Sequence, residues 1–591
     1  LPDVDSFTLW YARLNHGRLK TVLLITLFSA MGRVQAQAPD EPQPLPGPRP
    51  SASVVRQWQD RKFGLFIHFG LYSMLGGIWH GQKIDNGYSE QIMANAPIPQ
   101  EQYAALARKF NPTRFDADAI VQLAQQAGMK FIVITAKHHD GFNMFHTHLT
   151  DYNVVEATPY HKDVIAQLSQ ACRRHGMKFG VYYSSIDWHY PQASSYLEGN
   201  SNPIPPAHED FNVGQLQELA THYGPLSEIW FDMGKPTPAQ SARFAQTVHA
   251  IQPDTMVSGR VFNYQGDFTV MGDNEVPQFV IDEPWQTPAS IYPDTWGYRS
   301  WEARTNLPGK VAENILRLAQ VVSRGGNYIL NIGPADDGSV VPFEAEVLRG
   351  VGEWMHANGE AIYGTRAQPF RQLPFGYATV KPGRLYLLVR DWPASGKLRL
   401  AGLKTPLKTA YWLVDPGHAP LPISEIAGGT EISISGKHLT PPLSVLVAEY
   451  SGNLEVAPPA QHPGASGAIT LTAQNADHFL NYNGYGYEDP PTLYKLRWAI
   501  ALETARHYQV VITYQTPLAA SHLEFVAGQQ HLRATLDTNG LPPGRTQAKP
   551  IGAVALDAGS ATGIEITPPQ RFFKGDKLEV TVDRVELFPI R

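Results

Sequence analysis

The residues of this chain whose type and spacing could do chemistry are polar groups that close short apolar runs. Glu228-Ile-Trp-Phe-Asp232 is apolar on both sides of Trp230 and ends on a carboxylate, followed at once by Met233, Gly234, Lys235 and Pro236. Such a run suits a strand buried on both faces. An acid where that strand stops suits the C-terminal mouth of a parallel α/β barrel, where catalytic groups project. For one Asp taken alone, a helix N-cap or a surface loop explains it equally well. Other run ends shift the balance: His68 follows Phe63-Gly-Leu-Phe-Ile67, His138-His139-Asp140 follows a second run, and Tyr182, Tyr183, Asp187 and Trp188 surround a third. Imidazole donates and accepts at once, as a sugar hydroxyl requires of its partner. A zinc site from His138, His139, His146 and His148 is the alternative use. Adjacent residues at a strand end diverge, however, and no helical His-x-x-x-His with a Glu base occurs there.

Elements that could hold these groups run from Val54 to about Gly364. Phe63 to His68, Phe131 to Thr135, Phe179 to Ser184, Glu228 to Asp232, Thr255 to Arg260 and Asn327 to Ile332 read as strands. Asp118 to Ala127, Asp163 to Arg174, Gln240 to Ile251 and Val311 to Val322 read as amphipathic helices. This alternation predicts an α/β fold, a (β/α)8-like TIM barrel over 54–365. Beyond it, runs such as Arg384 to Val389 and Leu443 to Tyr450, separated by Gly and Pro turns, predict an antiparallel β-sandwich over 366–452. A Pro, Gly and Ala-rich linker at 453–467 leads to a further C-terminal β-sandwich over 468–591, a shape that auxiliary carbohydrate modules share with plain structural spacers.

With 591 residues, 43% of them hydrophobic, the chain is expected to divide into several folding units. A formal charge of -6 without a concentrated basic stretch argues against a nucleic-acid partner. Twelve Trp, 26 Tyr and 25 Phe leave ample rings for stacking on sugars, although large cores use the same residues. The single cysteine, Cys172, shares an apolar helix face with Val164, Ile165 and Leu168, so it is expected in the core and not in a disulfide or thiolate site. Arg13, Arg18 and Lys20 precede an apolar run from Val22 to Met31, and Val34-Gln35-Ala36 supplies small residues for cleavage. That pattern predicts a signal peptide at 1–36 and a periplasmic or extracellular protein, since the run is too short for a membrane anchor. Residues 37–53 read as a Pro-rich linker.

Seven motifs carry a more specific resemblance: Phe63-Gly-Leu-Phe-Ile-His-Phe-Gly70, Thr135-Ala-Lys-His-His-Asp-Gly-Phe142, Tyr152-Asn-Val-Val155, Tyr182-Tyr-Ser-Ser-Ile-Asp-Trp188, Ile229-Trp-Phe-Asp232, Trp296-Gly-Tyr298 and Gly325-Gly-Asn-Tyr-Ile-Leu-Asn-Ile-Gly-Pro334. In order and spacing, from about residue 55 to 365, they resemble the α-L-fucosidases of glycoside hydrolase family 29. The resemblance implies a barrel followed by a β-sandwich, no metal or other cofactor, and exo-acting, retaining hydrolysis of terminal α-L-fucose from an oligosaccharide or glycoconjugate. Oligomeric state is left open.

By the same resemblance Asp232 stands at the nucleophile position, and His68, His138, His139, Tyr183, Trp230, Arg260 and Glu90 are substrate-binding positions. Tyr182 and Tyr183 must face opposite ways, so only one of them can reach the mouth. Gln91 replaces the Trp of a family Ser-Glu-Trp element, and Trp79 is expected to supply that aromatic wall. A retaining glycosidase needs a second carboxyl about 5 Å from the nucleophile. Glu275, in Gly272-Asp-Asn-Glu-Val-Pro277, is the expected acid/base, with Glu283 in Asp282-Glu-Pro-Trp285 as the competitor. Many relatives resemble Trp-Glu where this chain has Trp285-Gln286. That amide and the unassigned C-terminal domain motivate one rival reading, a non-catalytic fucose-binding protein; a retaining barrel glycosidase for another sugar is a separate alternative.

Overall fold

The computed structural model describes residues 47–590 apart from 191–201, 278–279, 282, 372, 435–439, 458–459, 473–474, 481–493, 517–520, 543, 559–561 and 568–581. The expected signal peptide and most of the Pro-rich linker lie outside the described residues. The linker's expected end at residue 53 overlaps helix α1, Ala52–Arg61, which buries Trp58.

Eight parallel strands follow one another in chain order: β1 (Phe63–Ile67), β2 (Phe131–Lys137), β3 (Lys178–Ser184), β4 (Glu228–Asp232), β5 (Met256–Val257), β6 (Thr269–Val270), β7 (Trp285–Ser290) and β8 (Asn327–Ile332). Each pairs with its neighbours, β8 returns to β1, and a parallel bridge between Ser258 and Phe268 joins β5 to β6. The sheet is thereby a closed barrel, as the alternating pattern predicts. β1, β2, β4, β7 and β8 are buried along their whole length, which is why their sequences are near-continuous apolar runs or carry only paired polar groups.

Around them pack α2 (Ala117–Gln126), α3 (Val164–Arg174), α4 (Pro206–His222), α5 (Pro238–Ile251), α6 (Leu307–Ser323) and α7 (Pro342–Asn358). Side-chain caps fix the starts of four of them: Asp116 accepts from Ala119 N, Asp163 from Ala166 N, Asn306 from Gly309 N, and Thr237 forms a reciprocal box with Gln240. α3 buries Cys172 as expected, and burial pushes its thiol up to about 12. The β5 run is shorter than the expected Thr255–Arg260, because a 3-10 turn at Gly259–Val261 takes over and carries Arg260.

Two further cores follow the barrel. Gly376–Lys381, Arg384–Val389, Ser444–Tyr450 and Leu407–Trp412 form one antiparallel sheet, which shares a core with a sheet of Lys397–Ala401, Gly429–Ser433 and Ile423–Ile426. The second core lies between a six-stranded sheet containing Tyr494–Ile500 and a four-stranded sheet containing Arg506–Gln515. Part of the expected 453–467 linker is structured: Val456 bridges Leu403, and Ala460–Gln461 pairs with Ala499 and Ile500. Among the described residues no helix is long and apolar enough to cross a membrane.

Candidate active site

Strand alternation decides which groups reach the mouth. Tyr182 stands opposite Trp230 and Ser184 opposite Asp232 in the β3–β4 register, so these four side chains point into the barrel. At the C-terminal end Tyr182, Trp230 and Asp232 line a cavity. Its lining includes Phe66, His68, Glu90, His138, His139, Tyr182, Trp230, Asp232, Arg260, Asp273 and Trp296.

Asp232 is buried and held by two donors. Arg260 Nη1 donates to its Oδ1 at 2.9 Å, and the Tyr182 hydroxyl donates to its Oδ2 at 2.7 Å. Burial and the neighbouring Asp232 charge keep the Tyr182 hydroxyl protonated, so it serves as a donor throughout the neutral range. Arg260 lies over the Trp230 ring, 4.8 Å from its centroid, and its Nη2 donates to Asp273 Oδ1 at 2.7 Å. One planar guanidinium therefore carries both carboxylates. They stand side by side in one pocket, an arrangement that suits the ~5 Å spacing of double-displacement hydrolysis.

The histidines are arranged as hydrogen-bond acceptors. His68 Nδ1 sits 2.7 Å from Asn331 Oδ1, and Asn331 Nδ2 donates to Trp296 O at 2.7 Å, which fixes the amide and makes His68 Nδ1 the donor. His139 Nδ1 sits 2.7 Å from Ser184 Oγ, whose own proton goes to Ile186 O. Burial pulls both rings down to about 4, so both are neutral and present a bare Nε2. His139 Nε2 lies 4.0 Å from Asp232 Oδ2. His138 is also held neutral by burial and stacks on Tyr182 at 5.5 Å. Glu90 Oε2 accepts from the backbone N–H of Trp296 and Gly297, while burial pushes its carboxyl up to about 7. Gly333, at the end of β8, lets the Trp296 loop approach: a Cβ there would stand 2.7 Å from Tyr298 N.

Several expected residues stand elsewhere. Tyr183 points outward from β3, and its hydroxyl meets Asn212 and Gln215 of α4 and Lys137 Nζ. Tyr182 takes the mouth instead. Trp79 sits on a short hairpin against His80 and does not line the cavity. Glu275 is exposed, its Oε2 accepting from Gly272 N at 3.0 Å, and it too is absent from the lining. Glu283 precedes the first residue of β7 and so lies at the N-terminal end of the barrel, opposite the mouth. Gln286 is buried in β7 below the cavity. His146 pairs with Glu156 and meets His148 edge to face, and neither lines the cavity with His138 and His139. Among the described residues no group of three His, Cys, Asp or Glu side chains could hold a metal ion.

Asp273, Tyr88 and Trp296 are among the lining residues whose place in the pocket sequence reasoning missed, with Phe66, Gln91 and Met233. Asp273 follows β6 by three residues, so the strand-end rule that singles out Asp232 would have found it. β6 has only two residues, Thr269 and Val270, and offers no apolar run to detect.

A barrel with paired carboxylates, neutral imidazoles and stacked rings at its C-terminal mouth is the site of a glycoside hydrolase. A sequence model of the Alpha-L-fucosidase family matches residues 33–360, more than half of the chain, and the chain belongs to that family. Tissue α-L-fucosidase of Rattus norvegicus is 30% identical over 426 residues, covering 66% of this chain and 90% of the relative. Its Homo sapiens counterpart is 30% identical over 410 residues, covering 66% and 86%. Among solved structures, α-L-fucosidase from Vibrio sp. strain EJY3 superposes with a TM-score of 0.66 at 27% identity, covering 92% of this chain and 98% of that one. A covalent intermediate of a Bacteroides thetaiotaomicron α-L-fucosidase, trapped with 2-fluoro-fucosyl fluoride, superposes with a TM-score of 0.63 at 25% identity, covering 69% and 98%.

Proposed function

We propose that the chain is an exo-acting, retaining α-L-fucosidase in which Asp232 is the nucleophile and Asp273 the acid/base. The observation that carries this reading is the single guanidinium of Arg260 bridging both carboxylates inside one cavity at the barrel mouth. Asp232 attacks the anomeric carbon and forms a glycosyl ester as the glycosidic bond breaks, and Asp273 gives its proton to the departing oxygen. Water then attacks the same carbon, passes a proton to Asp273 and releases Asp232. The bare Nε2 atoms of His68 and His139 accept from ring hydroxyls, and Trp230, Trp296 and Phe66 supply apolar walls for the deoxy face. Asp273 takes the acid/base role expected of Glu275, because an exposed carboxylate outside the cavity cannot reach a leaving oxygen bound within it.

The fucose-binding alternative rests on Gln286. With that amide below the pocket, and both pocket carboxylates intact, Gln286 no longer favours a non-catalytic protein, and of the two motives for that reading only the unassigned C-terminal domain remains. The test is hydrolysis of an aryl α-L-fucoside followed by proton NMR. Release of α-L-fucose as the first anomer is expected. Absence of turnover, faster turnover of the aryl galactoside, or the β-anomer first would each overturn the proposal. Export is part of it, supported by the charged and apolar pattern of residues 13–36. Amino-terminal sequencing of the secreted chain should begin near Gln37, and retention of residues 1–36 would exclude it.

A further inference from the structure

Below the cavity a chain of buried polar groups runs through the barrel interior. Trp58 Nε1 of α1 donates to Glu228 Oε2 at 2.5 Å, and Gln286 Nε2 donates to Glu228 Oε1 at 3.2 Å. Trp230 Nε1 donates in turn to Gln286 Oε1 at 2.8 Å. All four side chains are at most 1% exposed. The amide is fixed by both neighbours: its nitrogen must face a carboxylate and its oxygen must face an indole N–H. Trp230 then carries the Arg260 guanidinium on its face and stacks at 5.7 Å on Tyr182. Those are the two side chains that donate to Asp232.

We propose that Gln286 is a positioning residue of the hydrolytic site, an amide relay that fixes Trp230 and through it the two donors of Asp232. This rests on the proposed hydrolysis for its kinetic readout. Gln286 touches no substrate. Its chemistry is nevertheless specified, because position 286 must both donate to Glu228 and accept from Trp230, and a neutral amide does both. A carboxylate at 286 would set two acids face to face in a dry interior, where one of them has to take up a proton. An apolar side chain at 286 would strand the Trp230 N–H and the Glu228 oxygen together. The arrangement also explains how a chain with Gln at this position keeps a complete site: the amide answers Glu228 on another strand of the barrel and does not replace a catalytic acid.

Gln286→Glu, Gln286→Met and the exchange Glu228→Gln/Gln286→Glu test it, with kcat and KM measured on an aryl α-L-fucoside from pH 5 to 8 and melting temperature beside them. In the exchange, the amide moved to position 228 accepts from Trp58 and donates to the carboxylate moved to position 286. That carboxylate accepts from Trp230, so every bond is restored. Gln286→Glu should lose about tenfold in kcat relative to wild type between pH 5 and pH 8 with KM changed less than threefold, because the expected fault is a displaced nucleophile and not weakened binding. Gln286→Met should lose about tenfold at every pH. The exchange should recover to within threefold of wild type. A Gln286→Glu variant whose kcat tracks wild type across the range, or an exchange no better than the single variant, would overturn the proposal, as would full kcat in variants that lose only melting temperature. Should wild type fail to hydrolyse the fucoside, the functional reading falls. The relay itself is still tested by melting temperature, since Gln286→Glu must lose stability from pH 5 to pH 8 and the exchange must restore it.

Discussion

The two halves of the barrel are built differently. β1 to β4 are five to seven residues long, register with one another and carry Tyr182 and Asp232 in, or His68 and His138 just beyond, their C-terminal ends. β5 and β6 have two residues each, and β7 carries Pro288 in its middle. Their half brings Arg260 and Asp273 to the pocket on turns beyond the strand ends. The regular half holds the groups proposed to bind the sugar and attack it, where small displacements cost most. The irregular half holds Asp273, the proposed acid/base, on a loop close to solvent from which a proton and a water would come. On the proposed mechanism the difference separates the site into a fixed binding face and a loop-borne proton donor.

Removing the nucleophile tests the fixed half most severely. Asp232→Ala should reduce kcat on any α-L-fucoside by at least about a thousandfold, since no second carboxylate can form the ester. Asp273→Ala separates the halves. It should cost about 10² to 10⁴ with a poor leaving group, and much less with an activated aryl fucoside, whose departure needs no proton. Azide should restore turnover of the activated substrate to this variant, giving α-fucosyl azide because Asp232 still forms the intermediate, and failure of that rescue would return the assignment to another acid.

The same division decides what can be read from the sequence. β1 to β4 and β8 are dense apolar runs and are legible as strands. β6 and β7 are not, because Thr269-Val270 is too short for any period and Trp285-Gln-Thr-Pro-Ala-Ser290 hides its inward face behind a relay of polar groups. Asp273 is lost with β6. α4 escapes for a related reason: its buried face carries His208, Asn212 and Gln215, the last two serving Lys137 and Tyr183, and these polar groups erase the hydrophobic period. The choice between Tyr182 and Tyr183 needs a register that only the pairing of β3 with β4 supplies.

Acidification should sharpen the comparison next. His68 and His139 are held at about 4 in the folded state against 6.5 for a free imidazole, so the unfolded chain binds protons first. The stability these neutral rings contribute is complete above pH 6.5 and declines as pH falls toward 4. Melting temperature should drop across that window, and His139→Gln should flatten the drop. A slope unchanged in the variant would mean that this ring is not kept neutral by burial. Tyr183→Phe acts on the outer side of the same barrel wall. It should cost about 1 to 2 kcal/mol of stability, measured by denaturant unfolding, because Lys137 and α4 lose a buried partner. Its kcat should stay within about twofold, whereas Tyr182→Phe removes a donor from Asp232 and should lose about tenfold.

Glu275 is expected to show the smallest effect and places the tightest demand on the loop-borne half. It stands two residues from Asp273 in the same turn, so a purely local view of the sequence cannot rank the two acids. Geometry does: Asp273 accepts from Arg260 inside the cavity, while the exposed Glu275 closes the turn by accepting from Gly272 N. An amide oxygen can accept that bond equally well. Glu275→Gln should therefore retain kcat within about twofold on good and poor leaving groups alike, and Glu275→Ala should lose no more than the ~1 kcal/mol of one exposed hydrogen bond, read as melting temperature. A loss in Glu275→Gln that grows as the leaving group worsens, matched by azide rescue, would require the turn to rearrange on binding so that the outer carboxylate enters the site. The irregular half would then be a moving part and Asp273 its resting-state counterpart.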